Sequence, residues 1–246
     1  MVLPLYDTDP LDQNPWAVVT WSLIVINILV FVFELNASET TELAMIRDYA
    51  LIPAAITGKV TLGGSLPPIL SVFTYTFLHG GWAHVIGNML FLWVLGDNIE
   101  DAMGSVRFLF FYFLCGAAGG LMHVLVYPDS TVPLVGASGA VAGVVAAYFI
   151  LRPCARILVL AFGIVPLRLG SAWVLGFWAL AQVWNVLMPH KGDTAWWAHI
   201  GGMLAGAVLV VLLRRPELRL FECMRPGDAL HVRAAVPPDK RRWGSR

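Results

Sequence analysis

The chain has 246 residues, 58% of them hydrophobic, above the roughly 45–50% of ordinary soluble domains, and 13% charged, with a mean hydropathy of +0.73. This composition predicts an integral membrane protein whose surroundings are the lipid bilayer. Sixteen basic residues balance sixteen acidic ones, so net charge gives no ground for a nucleic-acid partner, and the distribution of charge carries more information than its sum.

The first fifteen residues hold Asp7, Asp9 and Asp12 but no Lys or Arg, and the apolar run after them has no small-residue cleavage site; a secretory signal peptide is not expected. Residues 1–15 read as an N-terminal cytoplasmic segment. A bilayer core needs about 20 apolar residues per helix, and 16–35 supply the first span. Residues 36–68 alternate charge, glycine and short apolar stretches, which suits a long loop with interfacial helical pieces. A second span runs over 84–99, and the polar run GDNIED at 96–101 is expected to end it in water. Further spans are expected over 107–127, 138–151, 172–188 and 195–213. Residues 157–165 are apolar but precede Pro166, so they are assigned to the interface. A basic, proline-containing and poorly ordered cytoplasmic tail occupies 214–246. Cys115, Cys154 and Cys223 lack metal-ligand spacing and read as packing residues.

The fold expected is therefore all-α, a polytopic bundle of six transmembrane helices over 16–213. With both termini inside, thirteen of the sixteen basic residues lie on the inner side, against Arg47, Lys59 and Lys191 outside. That asymmetry favours an N-in, C-in arrangement. It also puts Ser138, which opens the fourth span, and His199, near the start of the sixth, at one depth.

The motif GASG at 136–139 is weak by itself, because a serine among glycines also serves close helix packing, its hydroxyl bonded back to a carbonyl one turn earlier. His199, beside Trp196 and Trp197, has a plain reading as an interfacial anchor. Context changes the balance. Gly139 and Gly143 form a GxxxG on the fourth helix, and Gly202 and Gly206 another on the sixth. Such faces allow close backbone approach, and if they meet, Ser138 and His199 project from adjacent helices within reach of each other. His84 and Asn88, four apart at the outer end of the second helix, share a face as candidate oxyanion donors with the Ser138 backbone amide; otherwise they are interhelical glue. No carboxylate accompanies His79, His84 and His199 at that depth, which argues against a metal site; no cofactor is expected. His123, in the third span, has no assigned role.

These residues resemble the rhomboid intramembrane serine proteases. HVIGN at 84–88 resembles their second-helix HxxxN, GASG at 136–139 their GxSG, and AHIGGMLAG at 198–206 their sixth-helix AHxxGxxxG; IEDAMGS with Arg107 is similar to their turn between the second and third helices. The resemblance covers about 16–213. It implies a Ser138–His199 dyad without a third acid, an oxyanion hole of His84, Asn88 and the Ser138 amide, and substrates that are transmembrane helices cut near their outer ends after entering beside the fifth helix. A compact six-span core resembles the bacterial form and implies a bacterial inner membrane. Two departures stand out: Ala142 replaces the aromatic residue that in some relatives packs on the catalytic imidazole, and 36–81 lack the Trp-Arg pair of some members. The alternatives are a catalytically silent, helix-binding pseudoprotease on the same fold and a small transporter. The transporter reading predicts ionisable residues at mid-membrane, which the spans scarcely contain.

Overall fold

The computed structural model describes residues 2–9, 11, 14, 16–161, 164–188, 195–221 and 223. In chain order the elements are β1 (Val2–Asp7), α1 (Val18–Asn36), α2 (Glu39–Tyr49), α3 (Pro53–Ile56), α4 (Ser71–Thr74) between single 3₁₀ turns, α5 (Trp82–Met103), α6 (Ser105–Val126), α7 (Ser138–Leu151), β2 (Arg156–Ala161), β3 (Val165–Gly170), α8 (Ser171–Leu187) and α9 (Trp196–Leu213). Helices α1, α6 and α9 are long and apolar enough to cross a bilayer. So is α5 when joined to Pro68–Phe77 across an 81° bend, while α7 and α8 are shorter apolar helices. Helix α7 is buried along nearly its whole length and packs against α5, α6, α8 and α9. Its sequence, SGAVAGVVAAYFIL, carries small residues where neighbours come closest, so it serves as the central post of the bundle.

The fold is mostly helical, not all-α. β1, β2 and β3 form a three-stranded antiparallel sheet in that order, with Pro4 opposite Val159 and Pro166 opposite Leu160. Proline cannot donate to a ladder, and both prolines sit on the outer strands while central β2 has none. The segment expected at the interface is thus a strand pair that also captures the N-terminal segment.

Three further expectations need correction. The run 96–101 does not end in water: Asn98, Glu100 and Asp101 are buried. The Glu100 carboxylate accepts from the Val19 and Thr20 amides (3.1 and 2.7 Å), the Thr20 hydroxyl (2.9 Å), the Ser105 hydroxyl (2.6 Å) and the Asn14 side-chain amide (3.2 Å). It thereby caps the start of α1, whose first amides have no helical acceptor, and ties α1 to α5 and α6. Cys154 and Cys223 are joined in a disulfide, and only Cys115 is a buried free thiol among the described residues. The start of the tail is docked: Arg215 donates from its amide to Ala102 O (2.9 Å), and Phe221 to Ile150 O (2.8 Å). The rest of the tail, and the turn at 189–194 with Lys191, lie outside the described residues.

At the same end of the bundle, Asp7 is buried and its Oδ2 accepts from the Tyr148 hydroxyl (2.5 Å) and from Asn98 Nδ2 (2.8 Å). Beside it, Arg152 pairs with Asp9 at 2.6 Å. Burial, reinforced by the charges of Asp97 and Asp9, pushes the Asp7 carboxyl up to about 7 from an ordinary 3.8, against the opposing effect of the Tyr148 hydrogen bond. The folded state therefore favours the protonated acid. Its contribution is greatest below about pH 4 and is lost as pH rises towards 7, by at most roughly 4 kcal/mol. Asp7→Asn keeps an acceptor for both donors without the charge. Its melting temperature is expected to match wild type near pH 4 and to exceed it at pH 8; parallel profiles for the two proteins across that range would contradict the assignment.

Candidate active site

The loop before α7 is held from two sides. Leu51 and Leu134 exchange backbone hydrogen bonds (3.0 and 2.8 Å), and the Gly136 amide donates to Tyr75 O at 2.9 Å. Gly136 has φ +116°, a conformation that disfavours any side chain, and a Cβ there would fall into the His84 imidazole. The first glycine of GASG thus lets the chain turn and makes room for His84. Ala137 is the N-cap and Ser138 the first helical residue, half-buried, so its amide belongs to the first turn that lacks helical acceptors.

Below Ser138 three backbones converge. A Cβ on Gly202 would collide with the Gly139 carbonyl, and one on Gly206 with that of Gly143. On α6, a Cβ at Gly119 would lie 2.6 Å from Ala198 O and 3.2 Å from Gly139 Cα. The two glycine pairs meet across α7 and α9, and α6 contributes Gly119, whose part the sequence reading missed within the run GAAGG. The consequence for the site is direct: a Cβ on the residue after Ser138 would lie 3.4 Å from the carbonyl oxygen of the residue before His199.

His199 is buried on α9. Its Nδ1 lies 2.8 Å from Gln182 Oε1 on α8, and its ring sits against Trp178 (centroids 6.1 Å) and, edge-on, Trp196 (5.7 Å). These three side chains occupy the role left open by Ala142. Among the described residues no hydrogen bond joins the Ser138 hydroxyl to His199; hydrogen bonds of this kind are often long before substrate binds.

The first two turns of α5 supply His84 and Asn88. His79 Nδ1 meets Phe77 O at 3.3 Å, an acceptor only, so Nδ1 carries the proton and Nε2 receives the Asn88 side-chain N–H at 3.1 Å. One amide hydrogen of Asn88 remains for another acceptor. The His79 amide in turn donates to Glu34 Oε2 on α1 at 3.2 Å, and the His79 and His84 rings lie 5.2 Å apart. Among the described residues no three His, Cys, Asp or Glu side chains are grouped to hold a metal ion. His123 Nδ1 is buried without a hydrogen-bond partner, its ring 5.1 Å from Tyr127.

The Rhomboid domain family model matches residues 68–216. The chain is 32% identical to the mitochondrial Rhomboid protein 1 of Saccharomyces cerevisiae over 160 residues, 62% of this chain and 41% of that protein. It is 28% identical to the chloroplastic Rhomboid-like protein 11 of Arabidopsis thaliana over 165 residues, 61% of this chain and 55% of the relative. Against the Rhomboid protease GluP of Bacillus subtilis it is 27% identical over 220 residues, 85% of this chain and 37% of the relative. The chain thus spans about two-fifths to half the length of these relatives. Because they carry mitochondrial and chloroplastic names beside a bacterial source, the similarity does not single out the bacterial inner membrane expected above. With the family match extending from the turn before His79 to the end of α9, through the glycine contacts and the clustered polar residues, the chain is an integral, multi-pass membrane protein of the rhomboid family.

Proposed function

We propose that this chain is an intramembrane serine endopeptidase that cuts transmembrane helices near their outer ends. The observation that carries the reading is the close contact of Gly139 with Ala198 and Gly202, which brings the first turn of α7 against the first turn of α9. Ser138 Oγ attacks the scissile carbonyl carbon and its proton passes to His199 Nε2. The oxyanion is met by the Ser138 amide, Asn88 and His84, and a single such donor is worth about 10²–10³ in rate. The imidazolium then protonates the leaving amine, and water repeats the sequence on the acyl-enzyme. Substrates enter beside α8, whose outer face carries exposed Trp173, Phe177, Leu180 and Trp184.

In this reading the chain crosses the membrane six times with both termini inside. Two kinds of observation support it: the basic residues gather on that side, and the pairing of β1 with β2 and the docking of Arg215 on Ala102 bring the two terminal segments to the same end of the bundle. A helix-binding pseudoprotease is the second reading, favoured by the missing Ser138–His199 hydrogen bond. Purified full chain in liposomes, offered helix-destabilised membrane substrates, decides between them. The protease reading expects cleavage and fluorophosphonate labelling, both abolished in Ser138→Ala. Absence of both from the wild type, or their persistence in the variant, overturns it.

A further inference from the structure

The dyad leaves one question that its two members do not answer: which nitrogen of His199 carries the proton. The Gln182 amide answers it. Its Nε2 donates to Trp178 O, one helical turn earlier, at 3.0 Å, and a carbonyl oxygen only accepts, so this contact fixes which end of the amide is nitrogen. The other end, Oε1, is therefore the atom 2.8 Å from His199 Nδ1. An amide oxygen only accepts as well, so Nδ1 must hold the proton and Nε2 must carry the free lone pair. Gln182 and His199 are 5% and 8% exposed, so water does not compete effectively for either contact.

We propose that Gln182 is a positioning residue for catalysis, the neutral third member behind the Ser138–His199 pair, which sets the imidazole tautomer and ring orientation. The proposal rests on the proteolytic reading above. Trp178 assists it twice, through its carbonyl, which orients the amide, and through its ring against the imidazole. During attack, Ser138 Oγ–H gives its proton to Nε2 while Nδ1–H stays on its nitrogen and keeps donating to Oε1; no proton reaches Gln182. Being neutral, the amide orients the imidazolium without the full charge stabilisation that an acid would give. The same bond also holds α8 to α9, and a purely structural glue would act on folding alone.

The test uses full chain in liposomes and a wild type that cleaves; a wild type that neither cleaves nor labels would instead refute the proteolytic reading. Gln182→Leu removes the acceptor at similar volume, and Gln182→Glu keeps an acceptor at His199 Nδ1 and adds charge while giving up the N–H that donates to Trp178 O. For Gln182→Leu, kcat is expected to fall about 10- to 100-fold with KM within twofold, and fluorophosphonate labelling to slow in parallel. For Gln182→Glu, activity is expected to be retained and the acid limb of the kcat/KM profile to move to higher pH, because a carboxylate at Nδ1 favours the imidazolium. If Gln182→Leu does not fold, the Gln182→Glu profile still decides. A folded Gln182→Leu protein with unchanged kcat, a loss confined to KM, or an unshifted acid limb in Gln182→Glu overturns the proposal.

Discussion

Cleavage by the His199→Ala protein is expected to fall by at least about 10⁴-fold, with fluorophosphonate labelling lost although Ser138 is intact. The serine hydroxyl is a poor nucleophile without a base to take its proton, and no other imidazole shares the face of α9 that meets α7. The substitution also strips Gln182 Oε1 of its partner, and a buried acceptor left unpaired costs about 1–3 kcal/mol. A modest fall in melting temperature is therefore expected, and it should be recovered in the His199→Ala, Gln182→Leu double variant, which leaves neither group stranded. Labelling of His199→Ala at the wild-type rate would mean that the base lies elsewhere.

For stability, the largest effect is expected at Glu100. Its carboxylate collects five donors from α1, the first residue of α6 and the segment before α1. Glu100→Ala leaves the Val19 and Thr20 amides buried or half-buried and unpaired, and should destabilise the protein by roughly 3–5 kcal/mol. Glu100→Gln keeps one acceptor oxygen and should fall between, losing the donors that then face its amide nitrogen. Unfolding in detergent micelles by heat or denaturant reads both values. Near-wild-type stability of Glu100→Ala would show that the cap is dispensable.

What the sequence disclosed and what it hid follow from the range of the interactions concerned. The long helices announce themselves because a bilayer imposes a local rule, a run of apolar residues, on each of them. The two GxxxG faces are also local patterns, and the structure adds only which helix each one meets. Glu100 was misread because a carboxylate in a polar run looks solvated, while its partners are amides some 80 residues earlier. The strands β2 and β3 were hidden because RILVLA and VPLRLG show no clean alternation, and their third strand comes from the other end of the chain. The disulfide between Cys154 and Cys223 spans 69 residues with no motif to announce it. Gln182 is the instructive omission. Gln182 does not ionise, yet an amide in a largely apolar helix also needs a partner, and that signal is present in WALAQVWN.

The length of α7 has a consequence for where the chemistry happens. Fourteen helical residues reach only about 21 Å, some 9 Å less than a hydrocarbon core of about 30 Å. One end of the helix is held, since Arg152 is paired with Asp9 and β2 starts at Arg156. At the serine end α6 continues seven residues beyond Gly119, which lies beside Gly139, whereas α5 begins level with the start of α7, its His84 standing against Gly136. In the proposed six-span reading Ser138 therefore lies below the top of α6, inside the membrane. On the proteolytic reading proposed above, water would descend to it beside the taller α6, and a target peptide bond would be lowered from its helix to that level before being cut.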